Sequence, residues 1–299
     1  MTYLIRKIIS MLISLVMLAV FCPFVSSEGY EAKNPDALKV NFAVLSDCHV
    51  EGNNFDTYKM FGKILADIKA SKDGNDALVF LGDSTMNGQE IESIFFYGTI
   101  NTICPAKQYI NVLGNHDIGN GEGDYNIIRN RFIDYSKTIM GESFSEPYYY
   151  KVINGCYFIV LATEDQTVNF MNITDTQLEW FKGVLDEASE ENAPVFVFNH
   201  YPADYIQDRE EEVLTDIMDD YDNLLYFCGH THYEFTEESI YELNGVNCIN
   251  LPRSTEGVDY EGGIGAQVEV YEDEVIVRIR DFDSEKWLTE YERSYPIND

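Results

Sequence analysis

Basic residues are scarce in this chain of 299 residues, which has 20 Lys and Arg against 52 Asp and Glu. The formal net charge of -32 leaves few groups that could follow a phosphate backbone. This argues against a nucleic-acid polymer as a partner, and against a nuclease. An acidic surface keeps an exported protein soluble, and we expect that role for it here. An anionic ligand would need bound divalent cations to reverse the local field.

Cysteine is also sparse and lacks metal-binding spacing. The six cysteines form no CxxC pair and no zinc-finger pattern, so no thiolate zinc site is expected. Cys22 lies in the N-terminal apolar segment, and five cysteines follow it in the remaining chain. An odd number leaves at least one free thiol there. One disulfide would be compatible with export, and its connectivity cannot be read from the sequence.

A long apolar run occurs only at the N-terminus. Arg6 and Lys7 precede an apolar run over residues 8–25, and small residues follow it. This order predicts a secretory signal peptide at residues 1–27 and a secreted or extracytoplasmic mature chain, residues 28–299, forming a single domain. The alternative is a membrane anchor formed by the uncleaved segment, because the run is close to the shortest length that spans a bilayer. No stable membrane span is expected after signal removal.

Short apolar strands alternate with helical patterns, and no repeat, low-complexity tract or Pro/Gly-rich linker divides the chain. Asn154-Gly155 predicts a hairpin turn, and Thr174 with Gln177 matches a capping box at the start of a helix. The predicted helices cover residues 55–70, 90–100, 127–140 and 174–188. The predicted strands cover residues 38–46, 77–81, 109–113, 148–153, 156–162, 195–198, 224–227, 247–251, 266–271 and 275–279. Such alternation predicts a layered α/β fold.

Five of the apolar strands are followed directly by residues that can bind metal. Ligands gather at the carboxyl ends of strands in α/β sheets, so the five loops should meet in one place. All five histidines of the chain lie in these loops, whereas histidines used for packing would be scattered. The loops contain, in chain order, Asp47-Cys48-His49, Gly82-Asp83, Gly114-Asn115-His116-Asp117, His200 and Gly229-His230-Thr231-His232.

This ordered set resembles the calcineurin-like metallophosphoesterases, a family that includes purple acid phosphatases and cyclic-nucleotide phosphodiesterases. The resemblance implies a two-sheet sandwich flanked by helices, with four αββα layers and two metal ions. By position, it assigns the first metal to Asp47, His49, Asp83 and His232. It assigns the second metal to Asp83, Asn115, His200 and His230, with Asp83 bridging. It further implies that His116 is a catalytic acid or phosphate-contacting residue, and that Asp117 orients it.

Two metal ions suit the hydrolysis of phosphate esters, whose negative charge resists a nucleophile. Ions roughly 3.5–4 Å apart neutralise that charge, and a metal-bound water becomes acidic enough to supply hydroxide. Carboxylate, amide and imidazole ligands suit divalent or trivalent Mn, Fe, Co, Ni or Zn. We therefore expect a phosphomonoesterase or phosphodiesterase that attacks a small phosphorylated substrate with a hydroxide held by both metals. The alternatives are a non-catalytic binding protein on the same fold and a nuclease.

The substrate pocket is harder to read from the sequence. Tyr201 and Arg253 are predicted to line it, whereas Asp124-Tyr125 and Tyr205 are expected to be ordinary loop residues. The sequence does not distinguish monoester from diester substrates, and the oligomeric state cannot be read from it.

Overall fold

Two β-sheets packed face to face form the centre of this computed structural model, which describes residues 3–21, 29–142, 144–207, 213–255 and 262–297. The helices are α1 Tyr3–Phe21, α2 Phe55–Lys69, α3 Glu90–Ile103, α4 Tyr125–Met140, α5 Asp175–Glu190 and α6 Val213–Met218. The strands are β1 Val40–Leu45, β2 Ala77–Phe80, β3 Gln108–Asn111, β4 Tyr149–Ile153, β5 Cys156–Val160, β6 Val195–Phe198, β7 Leu224–Cys228, β8 Ile240–Leu243, β9 Val246–Asn250, β10 Ile264–Val270, β11 Glu274–Asp281, β12 Lys286–Trp287 and β13 Arg293–Pro296.

The first sheet has the strand order β12-β11-β10-β1-β2-β3, and β13 also pairs with β11. Strands β1, β2 and β3 are parallel, so the loops that follow them leave the sheet at the same edge. The second sheet has the order β4-β5-β6-β7-β9-β8, in which β5, β6, β7 and β9 are parallel. The loops after β6 and β7 therefore also leave from one edge.

The main core lies between the two sheets. Phe42 of the first sheet packs edge-on against Phe158 and Phe196 of the second, with ring centroids 4.8 Å and 4.9 Å away. These rings belong to a buried cluster that includes the facing valines and isoleucines of both sheets. Because apolar side chains cover both faces of each central strand, the strands have no alternating pattern in the sequence.

Helices cover the outer face of each sheet. A buried cluster joins α2, α3 and α4 to the first sheet, through residues such as Phe61, Phe96 and Tyr135. Another joins α5 and α6 to the second sheet, through residues such as Phe181 and Leu214. The molecule therefore has four αββα layers, and the predicted fold class is confirmed.

The predicted hairpin turn is confirmed, and the predicted capping box at the start of α5 is wrong. Asn154 and Gly155 have φ angles of 49° and 82°, as a two-residue hairpin turn requires, and they join β4 to β5. Thr174 caps α5 by accepting from the Gln177 amide at 3.3 Å. The capping box is wrong, because the Gln177 side chain instead bonds both backbone groups of Ala162, at 2.9 Å and 3.0 Å.

Helix α1 lies in the segment for which the sequence predicts a signal peptide. It packs on α3 and α4, and its Ser10 and Ser14 are buried next to Gly98, where a Cβ would overlap both serines. The predicted cleavage point, before residue 28, lies outside the described residues. Within the described part of the chain, no helix combines the length and the apolar character that a membrane span requires.

Candidate metal centre

The structure brings the seven predicted ligand residues together where the two sheets meet. Three of them follow β1 and β2, one follows β3, and three follow β6 and β7. Backbone hydrogen bonds tie neighbouring loops: the Asp47 amide donates to Gly82, and the Gly229 amide donates to His200. The ligand positions are therefore fixed by the sheets from which the loops emerge.

The first group of ligand atoms belongs to Asp47, His49, Asp83 and His232. One nitrogen or oxygen atom from each residue lies within 4.8 Å of all the others. His232 Nε2 is 2.8 Å from Asp47 Oδ1 and 3.0 Å from His49 Nε2. Three of these side chains are fully buried and His232 is partly exposed.

The second group consists of Asp83, Asn115, His200 and His230, and it shares Asp83 with the first. His200 Nε2 is 3.3 Å from Asp83 Oδ2 and 3.0 Å from Asn115 Oδ1. His230 Nδ1 is 3.1 Å from Asn115 Oδ1 and 3.2 Å from His200 Nε2. Asp83 thus contributes a carboxylate to both groups.

Backbone conformation at the centre is strained. Five of the seven ligand residues adopt positive φ angles between 42° and 71°, a region that non-glycine residues rarely occupy. Such conformations cost about 1–3 kcal/mol each and persist where surrounding structure imposes them, often at functional sites. The strained ligands are Asp47, His49, Asp83, His230 and His232.

Hydrogen bonds around the ligands fix their orientation. His200 Nδ1 donates to the Leu81 carbonyl at 2.9 Å, so its Nε2 is the atom that faces Asp83. Asp47 Oδ2 accepts from the Ser46 hydroxyl and from the His230 amide. Partners of this kind set the tautomer and the direction of metal ligands.

Two buried carboxylates surrounded by imidazoles dominate the electrostatics. Burial opposes ionisation of Asp47, yet hydrogen bonds from His232 and His49 hold its pKa well below the ordinary value. Burial likewise opposes ionisation of Asp83, and the charge and hydrogen bond of His200 keep its pKa low. Both carboxylates are therefore ionised, as metal ligands must be.

The histidines divide into two classes. Burial lowers the pKa of His200, but the Asp83 carboxylate outweighs burial and raises the pKa to about 9. Burial lowers the pKa of His49 and that of His230 to about 4. His200 is therefore protonated and faces Asp83. A bound cation would take the place of this proton. His49 and His230 are therefore neutral near pH 7, and a neutral imidazole has one nitrogen lone pair that can bind a metal.

This donor set fits metal ions. Imidazole nitrogens that face each other at 3.0 Å and 3.2 Å, beside two carboxylates, form a group of lone pairs that a bound cation would accept. The buried Nδ1 of His49 has no hydrogen-bond partner among the described residues. Nitrogen and oxygen ligands without thiolates suit ions such as Mn, Fe, Co, Ni or Zn.

His116 lies beside the first group, but its orientation differs from the prediction. Its ring is 4.6 Å from the His49 ring, and its Nδ1 donates to the Met86 carbonyl at 2.6 Å. Because Nδ1 carries that proton, Nε2 is left to exchange a proton with a ligand. The His116 amide also donates to Asp83 Oδ1 at 2.8 Å. Met86, rather than Asp117, therefore orients this imidazole.

The prediction that Asp117 orients His116 is wrong, since no hydrogen bond joins these two described residues. Asp117 is buried and accepts from the Ser84, Thr85 and Gly114 amides and from the Thr85 hydroxyl, at 2.9–3.2 Å. Burial, with the nearby Asp83 charge, raises the pKa of Asp117 to about 7. Its carboxyl group ties the second loop to the third.

The pocket predictions were partly wrong. Tyr201 is fully buried, and its ring lies under His230 with centroids 4.7 Å apart, so it supports a ligand and does not line a pocket. Tyr205, which the sequence assigned to an ordinary loop, lines a cleft. Both tyrosines follow β6 and His200 in the chain, so the sequence does not show which of them is buried and which lines the cleft. Asp124 caps α4 as an ordinary structural residue.

Arg253 lies next to the first loop. The amide of the following residue, Ser254, donates to the Ser46 carbonyl at 2.9 Å, and the Thr255 hydroxyl donates to the Cys48 carbonyl at 2.6 Å. Arg253 Nε is buried, and no described residue accepts a hydrogen bond from it. Burial lowers the pKa of this guanidinium, while the Asp47 charge opposes that shift.

Comparison with known proteins identifies the family. A family model described as calcineurin-like phosphoesterase matches residues 40–234, which include all seven ligand positions. The chain therefore belongs to the calcineurin-like phosphoesterases. The predicted family and the predicted class of enzyme, a hydrolase of phosphoric esters, are confirmed.

Individual relatives are distant. A protein of Rhodococcus erythropolis named "Probable cyclic nucleotide phosphodiesterase" is 24% identical over 255 residues, which cover 78% of this chain and 80% of that protein. An uncharacterised metallophosphoesterase-like protein of Bacillus subtilis is 24% identical over 241 residues, covering 65% of this chain and about half (49%) of the Bacillus protein. The crystal structure of a dimetal phosphatase from Danio rerio superposes with a TM-score of 0.63 at 13% identity, covering 87% of this chain and 100% of that one.

Proposed function

We propose that this protein is a two-metal phosphoesterase that hydrolyses phosphomonoesters or phosphodiesters of small molecules. The observation that carries the proposal is the pair of ligand groups that share the Asp83 carboxylate. Asp47, His49 and His232 would complete the first metal site. Asn115, His200 and His230 would complete the second. The family name and the names of the relatives support the same class of reaction.

A pair of metal ions held in these sites would neutralise the charge of the phosphate group and acidify a coordinated water. The chain itself supplies the remaining functions. His116 is held by Met86 with Nε2 free, and we assign it the proton given to the leaving group. Help from a general acid is typically worth about 10²–10⁴-fold in rate.

Arg253 supplies a positive charge in an otherwise acidic molecule. Arg253 is half-buried, and its Nε is a buried donor without a hydrogen-bond partner among the described residues, which is costly unless an acceptor binds it. A phosphate oxygen provides such a partner, and arginine binds phosphate through parallel N–H donors. We therefore assign Arg253 to the phosphate group of the substrate.

The alternative functions have less support. A non-catalytic binding protein could lose ligands without harm, whereas here all seven side chains converge. A nuclease would need a basic groove, and the net charge of -32 argues against one.

A rate measurement with controlled metal content tests the proposal. The purified protein is treated with a chelator and supplied separately with Mn, Fe, Co, Ni or Zn, and hydrolysis of p-nitrophenyl phosphate and bis(p-nitrophenyl) phosphate is followed. We expect no turnover after chelation and restored turnover with at least one metal. Asp83→Asn should abolish this recovery, whereas Glu179→Gln, an exposed change on α5, should not. Equal rates with and without metal would refute the proposal.

We also propose that the chain is exported. Arg6, Lys7 and the apolar run that follows them support this proposal. Sequencing the N-terminus of the secreted protein should give a start near residue 28. An intact Met1 in a membrane fraction would favour the anchor instead.

A further inference from the structure

A cleft of about 470 Å³ opens beside the second ligand group. It is lined by the segments that follow β6 and β7, which contain His200 and His230, and by residues of β8 and β9. Thr231, between two ligand residues in the chain, belongs to its lining, and the Tyr205 ring lies 6.1 Å from the His230 ring. A phosphate ester bound at the metal centre would therefore place one of its organic groups in this cleft. Its volume suits a small ligand.

The side chains that line the cleft are of two main kinds. Three are tyrosines, namely Tyr205, Tyr233 and Tyr241, and three are acidic, namely Asp204, Glu234 and Glu238. No lysine or arginine belongs to this described lining. Ion pairs with described residues do not neutralise the three carboxylates. The cleft is therefore both aromatic and negatively charged.

The tyrosine rings form a surface that a ligand can reach. Tyr233 is 73% exposed, so its ring is open to the cleft and to solvent. Burial raises the pKa of Tyr205, and the Tyr233 hydroxyl on the same cleft raises it further. Tyr241 is half-buried on β8.

This lining excludes one class of organic group and matches another. A second phosphate or a carboxylate in the substrate would face three like charges, which is unfavourable in a partly enclosed cleft. An organic ammonium group gains attraction both from carboxylates and from the faces of aromatic rings. Tyrosines alone would also accept a neutral ring, and the carboxylates beside them favour a cation over it.

We propose that this cleft binds a compact organic cation carried by a phosphodiester, of the alkylammonium alcohol type. The proposal rests on the proposed phosphoesterase function and names its substrate class. It also accounts for an acidic protein acting on a phosphate ester, because a zwitterionic diester has no net charge to be repelled. Hydrolysis forms a P–O bond from water and breaks one ester P–O bond, and the proton released by water balances the one taken up by the leaving group.

Two esters with the same leaving group test the proposal. The first is p-nitrophenyl phosphorylcholine, and the second is p-nitrophenyl 3,3-dimethylbutyl phosphate, which has the same shape without the positive charge. With the reconstituted enzyme, we expect kcat/KM to favour the choline ester by at least about 10-fold. High salt should reduce this ratio, because the carboxylates of Glu234 and Glu238 are exposed. A ratio near one, or a preference for the uncharged ester, would overturn the proposal.

Variants of the cleft residues test whether the preference for the choline ester arises in this cleft. The double change Glu234→Gln and Glu238→Gln, at exposed positions where misfolding is not expected, should reduce the ratio several-fold. Tyr233→Leu should also reduce it. Glu242→Gln removes an exposed charge from β8 outside the cleft lining and should leave the ratio unchanged. An unchanged ratio in the double variant, or an equal loss in the control, would contradict the assignment.

The experiment distinguishes failure of the phosphoesterase function from failure of the proposed cation site. If metal restores hydrolysis of the uncharged ester, the phosphoesterase function stands whatever the ratio. If neither ester is hydrolysed, calorimetric binding of choline to the full chain and to the double variant decides the question. Weaker binding to the double variant supports a cation site, and equal or undetectable binding refutes it.

Discussion

The contact between Gly114 and Asp83 allows a sharp test of how the two metal loops are assembled. Gly114 begins the third ligand loop, and a Cβ added there would overlap Asp83 Oδ1 and the Asp83 amide and lie 2.9 Å from Asp83 Cγ. Gly114 has no positive φ angle, so alanine would cause no backbone strain. The effect of Gly114→Ala therefore comes from lost space at the shared ligand alone.

The magnitude follows from how little Asp83 can move. Its carbonyl accepts from the His49 amide at 2.8 Å, and its Oδ1 accepts from the His116 amide at 2.8 Å. Overpacking a rigid site typically costs about 1–3 kcal/mol. A shift of the shared carboxylate should also lower metal content at both sites. We expect Gly114→Ala to lose stability in this range, together with most of the bound metal.

Urea unfolding in the presence of chelator measures the stability term, and elemental analysis measures bound metal. The matched control is Gly183→Ala on α5, where an added Cβ meets nothing within 4 Å. Removing a glycine from a helix there should stabilise the protein by about 0.5–1 kcal/mol and leave metal content unchanged. If Gly114→Ala is as stable and as metal-rich as the control, the close approach of the two loops is wrong.

Three further variants test other parts of the account. His116→Ala should retain metal and lose about 10²–10⁴-fold in rate on esters with poor leaving groups, and less on nitrophenyl esters; a loss of metal would contradict its role as the acid. Arg253→Met should raise KM for phosphate esters, because it removes the guanidinium whose buried Nε has no partner among the described residues; an unchanged KM would contradict its contact with phosphate. Asp67→Asn should cost about 3–5 kcal/mol in urea unfolding, because Arg280 donates two 2.7 Å bonds to that buried carboxylate; a cost below about 1 kcal/mol would show that the pair is not buried as described.

Much of the fold and of the ligand geometry could be predicted because two simple rules dominate there. Strands buried on both faces are continuous apolar runs, and all ten predicted strands end within two residues of the observed ones. Parallel strands leave a sheet at one edge, so residues after different strands converge. The convergence of Asp47, Asp83 and His200 follows from that rule although they are far apart in sequence.

The missed strands and the wrong side-chain roles depend on contacts between distant parts of the chain, which no local sequence pattern shows. Strands β8, β12 and β13 were missed because they are short, half-exposed edge elements without an apolar run. Asp117 adjoins His116 in sequence, yet its carboxyl group turns back to the Ser84 and Thr85 amides of the preceding loop. Gln177 has the spacing of a capping residue, but a buried backbone carbonyl and amide compete for its side chain.

Metal stoichiometry in three proteins tests the central claim, that one carboxylate joins two metal sites. Elemental analysis of the wild-type chain saturated with its preferred metal should find two ions per chain. His232→Ala should retain one of them, in the group formed with His200, whereas Asp83→Asn should lose both. A wild-type chain that saturates at one ion, or an Asp83→Asn variant that still binds two, would contradict the shared site.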